Sequence, residues 1–310
     1  MVMAALGVEI LRDVALETWF GCGGGARRLA RPTSVAEVRA CVAIDRELKV
    51  FGDGANVLVA DGGVEELVVE LSAPAFTKIE LDAERGVVTA GGGADFAKVI
   101  LESVRAGLAG LEGLGGIPAT VGGAAAMNAG GAFGEVGTRI ARVRGVGRDG
   151  REVDLGRADM QFEYRRSSLA TAGVVITEVE FALARAEGGA EGVRARLLEV
   201  MAYKKRTQPM GAHSAGCCFK NPTLTRDVAA LGEKAVAGAR VSAGMLIDRA
   251  GCKGLRVGGA EISSQHANFF VAHAGCKAAD VIELTKRARG AVLEKFGVEI
   301  EAEVKVWGFT

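Results

Sequence analysis

An uncharged, glycine-rich window between residues 113 and 134 restricts how this chain can fold more than any other feature. The window is long enough to cross a membrane, since about 20 apolar residues span a bilayer. However, eight of its 22 residues are glycine and one is proline, and both residue types weaken a helix. The window is therefore predicted to be buried backbone that lines a binding site, and not a membrane-spanning helix.

Composition and charge exclude several classes of protein. Glycine contributes 45 of 310 residues, which is about twice the usual share of ~7%. The glycines are not periodic, as collagen would require, and they gather in a few turns where backbone must approach something closely. Lys plus Arg and Asp plus Glu each number 38, so no net charge would attract nucleic acid or an anionic membrane.

The N-terminal residues and the cysteines predict a cytoplasmic location. Residues 1–13 lack a basic region and contain Glu9, so they do not resemble a signal peptide. The six cysteines show no Cys-x-x-Cys spacing. Without an export signal, they are expected to be reduced thiols.

Apolar periodicity and turn residues predict a chain of mixed helices and strands. Ser34 and Glu37 form a capping-box pattern at the start of the first helix. Asp149 and Gly150 separate two apolar runs, as in a β-hairpin. Further helices are predicted from about Ala94, over 191–206, around 243–250 and up to Phe296, and strands at 50–51, 67–71, 87–90, 174–183, 256–262, 268–272 and 298–307.

Three glycine-rich turns have the composition of phosphate-binding loops. Residues 21–26 match the G-x-G-x-x-G/A dinucleotide pattern, but the strand before them is weak and Pro32 interrupts the segment after them. A Rossmann fold is therefore not expected. Residues 91–93 lie between a strand and a helix, and residues 52–56 lie between two apolar strands. A single turn of this kind is usually an ordinary tight turn, but three of them beside the glycine window predict a large phosphate-bearing cofactor.

Seven segments of the chain together resemble one enzyme family. In order, they are ETWFGCGGGARRLARP, VFGDGANVLV, GLEGLGGIPATVGGAAAMNAGGAFGEVG, YRRSS, SAGCCFKNP, LIDRAGCKGLRVGGAEISSQHANF and EAEVKVWG. This combination is similar to the UDP-N-acetylenolpyruvoylglucosamine reductases, the MurB flavoenzymes of bacterial cell-wall synthesis. The resemblance extends from about residue 15 to the end of the chain, and the lack of an insertion after YRRSS resembles the shorter type II branch.

The resemblance implies an α+β fold. It consists of a two-subdomain FAD-binding fold of the PCMH / vanillyl-alcohol-oxidase type and a C-terminal α+β substrate-binding domain. The expected boundaries are residues 1–72 and 73–190 for the two FAD-binding subdomains, and 191–310 for a linker helix with the UDP-sugar-binding domain. Such proteins hold FAD without a Rossmann fingerprint, in agreement with the poor context of residues 21–26.

The resemblance also implies which residues meet the FAD pyrophosphate, mostly through their backbone. Glycine suits this task because a Cβ would hold the backbone away from the phosphate. The matching positions are Gly52, Asp53, Gly54, Ala55 and Asn56 in one segment, and Gly116, Ile117, Pro118, Thr120, Gly122, Gly123 and Asn128 in the other.

Three positions match the family's catalytic motifs. Arg165 matches the arginine that binds the substrate carboxylate and enolate oxygens, for which a planar guanidinium is suited. Glu303 matches the catalytic acid, although by pattern alone it is a charge in an alternating strand. Tyr164, Lys220, Asn221 and His266 match substrate-binding positions.

The third catalytic position carries a cysteine. Much of the family has a proton-donating serine where this chain has Cys217. A thiol with a pKa of about 8.5 is protonated at neutral pH and is more acidic than an alcohol, so Cys217 is interpreted as the proton donor. The alternative is an inert buried thiol in a protein that has lost activity. Cys218 falls at a usually apolar position and is expected to pack in the core.

The implied reaction uses non-covalent FAD, with NADPH as the reductant. Hydride reaches the vinylic carbon of UDP-N-acetylglucosamine-enolpyruvate, and a proton completes UDP-N-acetylmuramate. The expected partner is this small-molecule substrate, with no nucleic acid and no membrane, and the protein is expected to be a monomer.

Two other functions stay open. A flavin oxidase of the same wider fold often tethers FAD through a histidine, but the chain has none before His213, so Cys22 or Cys41 would have to serve. A non-catalytic homologue would bind FAD or UDP-sugar without oxidising NADPH.

Overall fold

Residues 7–308 are described in the computed structural model. The helices in this range are α1 (Val35–Ile44), α2 (Pro74–Thr77), α3 (Phe96–Arg105), α4 (Val121–Ala126), α5 (Ser168–Thr171), α6 (Gly189–Thr207), α7 (Ala243–Arg249) and α8 (Ala278–Phe296). The strands are β1 (Leu11–Val14), β2 (Ala26–Ala30), β3 (Lys49–Phe51), β4 (Val57–Val59), β5 (Val64–Glu70), β6 (Ile79–Asp82), β7 (Val87–Gly91), β8 (Leu108–Ala109), β9 (Gly130–Gly131), β10 (Gly134–Glu135), β11 (Ile140–Val146), β12 (Glu152–Gly156), β13 (Phe162–Glu163), β14 (Arg166–Ser167), β15 (Val175–Ala182), β16 (Ala184–Arg185), β17 (Arg256–Val257), β18 (Ala260–Ile262), β19 (Phe270–Ala272) and β20 (Lys305–Trp307).

The described chain divides into two units, each assembled from three separate segments. Unit 1 contains residues 7–14, 26–53 and 65–204, and unit 2 contains residues 15–25, 54–64 and 205–308. The predicted domain boundaries at residues 72 and 190 stay a prediction. The prediction about a signal peptide concerns residues 1–13, of which the first six lie outside the described residues.

Unit 1 contains two larger sheets. The first has four strands in the order β1-β2-β5-β3, with β3 parallel to β5, and the second has five antiparallel strands in the order β12-β11-β15-β7-β6. The hairpin predicted around Gly150 joins β11 to β12, and its turn is closed by a hydrogen bond from the Arg151 N–H to the Asp149 carboxylate at 3.0 Å. Gly150 has a φ of +77°, which disfavours a side chain there.

The helix predicted after Ser34 is confirmed as α1, with one difference at its cap. The Ser34 hydroxyl accepts a hydrogen bond from the Glu37 N–H at 3.3 Å, as a capping box requires. The Glu37 carboxylate, however, accepts from the Thr33 N–H at 2.7 Å and from the Thr33 hydroxyl. The side chain therefore reaches one residue further back than the pattern predicts.

The glycine window folds without a long helix, as predicted, but most of its residues are half-buried and the prediction of buried backbone holds only in part. Its longest helix is α4, which has six residues and buries Val121, Ala124 and Ala125. The N–H groups of Val121 and Gly122 donate to carbonyl oxygens of the loop after β7, at 2.9 and 2.7 Å. Among the helices of residues 7–308, none is both long and apolar enough to cross a membrane.

Unit 2 packs α8 against the three-stranded sheet β17-β18-β19 and α7 against α8, and pairs β20 with β4 in parallel. Phe219 and Phe270 lie at the centre of its core and contact each other edge to face. The predicted end of α8 is confirmed, because Gly297 adopts a left-handed φ of +61° and its N–H closes the last turn on Leu293.

The strand predicted over residues 298–307 is mostly wrong. Only Lys305–Trp307 form a regular strand. The residues before it are extended, but they bond to backbone through isolated contacts, such as the bridge between Ala302 and Phe219. The alternation of apolar and charged residues therefore reflects burial of one side of this segment, at Val298 and Ile300, and does not show that the segment belongs to a sheet.

Replacing Gly91 with alanine is expected to lower the free energy of unfolding by about 1–3 kcal/mol or more, because the core cannot admit the new atom. The added Cβ would overlap the carbonyl group of Phe76. Gly131→Ala is the matched control, since no atom lies within 4 Å of its Cβ position, and it should change stability by less than about 0.5 kcal/mol. Urea unfolding of both variants measures the difference, and equal midpoints would contradict the packing account.

Candidate active site

A cleft of about 150 Å³ in unit 1 is built from three of the glycine-rich places in the sequence. One wall comes from the end of β3, one from the loop after β7 and one from the start of α4. Its lining includes Gly52, Gly92, Gly93, Thr120, Gly122 and Gly123. Segments far apart in the chain therefore converge at one place, and two of the three predicted turns contribute to it.

Glycine is required in this cleft for two different reasons. At Gly92 and Gly93 a Cβ would overlap the carbonyl oxygens of Ile176 and Leu71, so these glycines let the protein's own backbone segments meet. At Gly123 only the Thr120 hydroxyl oxygen lies near the Cβ position, at 3.2 Å. The glycine at 123 therefore keeps open a space that protein atoms do not fill.

Most backbone N–H groups around the cleft already donate hydrogen bonds to other protein atoms. The Gly92 and Gly93 N–H groups donate to backbone carbonyls at 2.8 and 2.9 Å, and the Gly122 N–H donates to the Gly92 carbonyl. Thr120 caps α4 by accepting from the Gly123 N–H at 3.3 Å. A ligand in the cleft would therefore contact the Cα atoms of these glycines and the Thr120 hydroxyl. Few backbone N–H groups would be available to it as hydrogen-bond donors.

The other predicted cofactor residues of unit 1 lie away from the walls of this cleft. Gly116 has a φ of +72°, and a Cβ there would meet Met201 of α6 at 2.9 Å. Ile117 packs against the unit 1 core, and Pro118 is half-buried. Asp53 is exposed.

Asn128, predicted as a cofactor residue, has its side chain completely buried. Its amide nitrogen donates to the Glu163 carbonyl at 2.8 Å, and its amide oxygen accepts from the Gly137 N–H at 2.9 Å. Asn128 also has a left-handed φ of +43°. The side chain therefore ties the end of the glycine window to β13.

The β13–β14 hairpin holds Arg165 at its turn. Arg165 has a φ of +56°, a left-handed conformation that is rare outside glycine and asparagine. Its guanidinium lies over the Tyr164 ring, with the central carbon 5.4 Å from the ring centroid. Two hydrogen bonds hold the hairpin against the end of α4. Asn128 donates to the Glu163 carbonyl, and the Ser167 hydroxyl donates to the Ala126 carbonyl at 2.6 Å. Such strain at a turn persists only where the surroundings hold it, and it is typical of functional positions.

In unit 2, the segment with Cys217 lies between two other stretches of backbone. Cys217 pairs with Phe269 on one side, and Phe219 pairs with Ala302 on the other. The Glu303 N–H donates to the Cys218 carbonyl at 2.8 Å, and the Lys220 N–H donates to the Glu301 carbonyl at 2.9 Å. The two catalytic motifs predicted in this part of the chain, around residues 217 and 303, are therefore neighbours.

Asn268 fixes this arrangement, and sequence reasoning missed it. Its buried amide forms both hydrogen bonds to the Phe219 backbone, accepting from the N–H at 2.9 Å and donating to the carbonyl at 2.8 Å. Its own carbonyl accepts from the Cys218 N–H at 2.8 Å. Its place in the SSQHANF motif, two residues after His266, is the one signal of its importance in the sequence.

The two adjacent thiols have different environments. Cys218 is 3% exposed and belongs to the unit 2 core, and burial raises its pKa strongly, so its predicted packing role is confirmed. Cys217 is half-buried. Three residues before it, the Ser214 hydroxyl is buried with no hydrogen-bond partner among the described residues.

The predicted substrate residues of unit 2 have partners within the protein. The Lys220 ammonium contacts the Glu301 carboxylate at 2.7 Å. The Asn221 side-chain oxygen accepts from the Ala243 N–H at 2.9 Å, at the start of α7. Burial lowers the pKa of His266, whose Nδ1 accepts from the Asn268 N–H at 3.3 Å. The neutral imidazole is therefore favoured.

The predicted cofactor turn at residues 54–56 lies beside Glu303. The Asn56 side chain donates to the Glu303 carbonyl at 3.3 Å, and the Lys305 N–H donates to the Asn56 carbonyl at 3.0 Å. The Gly54 carbonyl accepts from the Trp19 N–H, and Ala55 is half-buried. This turn therefore supports the backbone that carries the predicted acid.

Comparisons with known proteins agree with both halves of the chain. Residues 26–156 match an FAD binding domain, and residues 208–307 match the C-terminal domain of UDP-N-acetylenolpyruvoylglucosamine reductase. Curated relatives with that reductase name include those from Moorella thermoacetica and Bradyrhizobium sp. (strain ORS 278). They are 37% and 36% identical to this chain, cover 98% of it in both cases, and are covered over 95% and 94% of their own lengths.

A solved structure extends the similarity to the fold. The crystal structure of UDP-N-acetylenolpyruvylglucosamine reductase (MurB) from Thermus caldophilus matches with a TM-score of 0.78 and 37% identity, over 97% of this chain and 100% of that one. The predicted fold class is confirmed by this match and by the FAD binding domain. The chain therefore belongs to the UDP-N-acetylenolpyruvoylglucosamine reductase family and is an FAD-dependent oxidoreductase.

Proposed function

We propose that this chain uses NADPH to reduce UDP-N-acetylglucosamine-enolpyruvate to UDP-N-acetylmuramate, in the synthesis of peptidoglycan precursors. The observation that carries the proposal is the pairing of the Cys217 segment with the Glu303 segment, because it brings together the two motifs that would serve proton transfer. The reductase name of relatives that match along nearly the whole chain supports the substrate.

The glycine-lined cleft of unit 1 is proposed to hold the phosphate-bearing cofactor, through close approach to glycine Cα atoms and the Thr120 hydroxyl and not through free backbone N–H groups. Gly52, Thr120 and Gly123 would hold the FAD pyrophosphate, since the open space beside Gly123 admits a group that a Cβ would exclude. When bound, FAD supplies the hydride that the vinylic carbon receives, after NADPH has reduced it. No histidine precedes His213, which supports non-covalent binding.

Arg165 is proposed to bind the substrate carboxylate. Negative charge grows on the adjacent enolate oxygen as hydride arrives, and a fixed cation facing that charge lowers the barrier. The strained turn and the hydrogen bonds of Asn128 and Ser167 hold the Arg165 backbone before substrate binds. The protein therefore does not have to order this residue during the reaction.

Cys217 is proposed to give its thiol proton to the substrate carbon next to the carboxylate. A positioned acid is needed because the enolate must be protonated on carbon. The backbone at Cys217 is held by its pairing with Phe269, and the following residues by Asn268. Glu303, on the neighbouring segment, is proposed as the second acidic group of the site.

Lys220, Asn221, His266 and Tyr164 are proposed to bind the UDP-sugar. The Lys220 side chain is 20% exposed and its ammonium is paired with the exposed Glu301 carboxylate, so a phosphate would have to compete with that carboxylate. The proposal includes a cytoplasmic location, because the reaction draws on the cell's pools of NADPH and sugar nucleotide, and the monomer expected from the sequence stays a prediction.

Cys217→Ala is expected to reduce substrate-dependent NADPH oxidation by about 10²–10⁴-fold, the usual contribution of a general acid. Cys217→Ser should retain most of the turnover, because a hydroxyl can occupy the same place and donate a proton. Cys252→Ser, a buried thiol elsewhere in unit 2, is the matched control. Steady-state assays of NADPH oxidation with the purified, FAD-loaded variants measure these rates.

Two results of that assay would count against the proposal. Turnover of Cys217→Ala at the wild-type rate would remove the thiol from the mechanism. Wild-type protein that binds FAD but never oxidises NADPH with this substrate would favour a non-catalytic homologue.

Gly123→Ala is expected to weaken FAD binding by about ten- to a hundredfold, because a methyl group would enter the proposed pyrophosphate space at a cost of about 1–3 kcal/mol. Gly192→Ala in α6 is the control, since no atom lies within 4 Å of its Cβ position. Both alanines lie in helices, where alanine is favoured over glycine, but the Gly123→Ala methyl would press on the Thr120 hydroxyl at 3.2 Å, so the thermal stability of both apoproteins is measured alongside FAD affinity. Titration with FAD measures affinity, and equal dissociation constants would refute the assignment of Gly123.

A further inference from the structure

Two thiols of unit 2 lie side by side, apart from the residues assigned to the reaction. Cys22 belongs to the short N-terminal segment of unit 2, and Cys276 lies two residues before the start of α8. Each thiol is close enough to affect the pKa of the other, and the Cys276 thiol donates to the Lys277 carbonyl at 3.5 Å. Both side chains are half-buried and pack against the same apolar core.

The backbone around the pair holds the two thiols in place. The Gly24 N–H donates to the Ala60 carbonyl at 2.9 Å, and the next residue, Asp61, accepts from the Ala278 N–H at 2.9 Å. A Cβ at Gly23 would lie 3.6 Å from the Cβ of Ala278. The backbone after Cys22 therefore lies against the start of α8, two residues after Cys276.

We infer that Cys22 and Cys276 are a redox-sensitive pair that a hydroperoxide or a small-molecule disulfide converts to an intrachain disulfide. With hydrogen peroxide, the Cys276 thiolate attacks one oxygen, which yields a sulfenic acid and, after protonation, water. The Cys22 sulfur then displaces the hydroxyl group as a second water and forms the S–S bond. The two thiols lose two electrons and two protons in total, and the peroxide is reduced to water.

The two thiols shift each other's pKa in opposite directions, and this sets the order of attack. The neighbouring Cys22 lowers the pKa of Cys276, although burial raises that pKa overall. Burial and the neighbouring Cys276 raise the pKa of Cys22 to about 12. The carboxylates of Asp61 and Asp280 act on both thiols and raise both pKa values further.

The raised pKa values make oxidation slow at neutral pH and faster in alkali. The thiolate is the reactive form, and below the pKa its fraction rises about tenfold for each pH unit. The pair should therefore stay reduced under ordinary conditions and respond to strong or sustained oxidation.

A metal site is a poorer interpretation of the same residues. The Asp61 carboxylate already accepts the Ala278 and Ala279 N–H groups, and the Asp280 carboxylate accepts those of Lys277 and Gly259. No group of three or more His, Cys, Asp or Glu side chains suited to a metal ion occurs among residues 7–308.

The test is oxidation of full-length, FAD-loaded protein with hydrogen peroxide or oxidised glutathione, followed by alkylation of free thiols, digestion and mass spectrometry without reduction. The expected product is a linked pair of peptides that contain Cys22 and Cys276, lighter than their sum by two hydrogen atoms and separated by dithiothreitol. The link should form faster at pH 9 than at pH 7. It should be absent from Cys22→Ser and Cys276→Ser and present in Cys252→Ser.

Thermal unfolding provides an independent measurement. A crosslink between residues so distant in the chain restricts the unfolded state, so the oxidised wild type should unfold at a temperature a few degrees higher than the reduced form. Dithiothreitol should reverse the shift, and Cys276→Ser should lack it. Folded wild-type protein in which both cysteines remain alkylatable after peroxide, or in which Cys276 carries a sulfinic acid or glutathione without a link to Cys22, would overturn the inference.

Discussion

The paired hydrogen bonds between the Asn268 amide and the Phe219 backbone are the interaction on which the unit 2 site depends. The Cys217 segment does not join a regular sheet, so its buried N–H and carbonyl groups need partners from elsewhere. The Asn268 side chain supplies both, at 2.9 and 2.8 Å. An unpaired buried polar group costs about 1–3 kcal/mol. The Asn268 amide therefore fixes the segment at Phe219, and backbone bonds to Phe269 and Glu303 complete the support on either side of it.

Unit 1 uses the same device for its strained hairpin. The buried Asn128 side chain bonds to Glu163 and Gly137, and this holds the hairpin in which Arg165 takes a left-handed conformation. Asparagine and glycine residues therefore both stabilise irregular backbone in this protein. Glycines such as Gly93 remove the Cβ that would keep backbone segments apart, and asparagines supply the hydrogen bonds that irregular backbone lacks.

Local features of the chain could be predicted from the sequence, and long-range contacts could not. The cap at Ser34, the hairpin at Gly150 and the end of α8 at Gly297 depend on neighbouring residues, and each was confirmed. The prediction of a strand over 298–307 is mostly wrong, because alternation of apolar and charged residues shows which side is buried and cannot show whether a partner strand exists. Asn268 was overlooked because its partner, Phe219, is distant in sequence. The family motifs located Arg165, Cys217 and Glu303 without revealing what supports them.

The central claim is that the Cys217 thiol delivers the proton after hydride transfer. Anaerobic stopped-flow mixing of reduced, FAD-loaded Cys217→Ala with the enolpyruvyl substrate tests it directly, with flavin absorbance and product formation followed together. The account predicts that the flavin is reoxidised at a rate close to that of wild type while formation of UDP-N-acetylmuramate is blocked. Product formation at the wild-type rate, or a flavin that remains reduced in the variant but not in wild type, would contradict it.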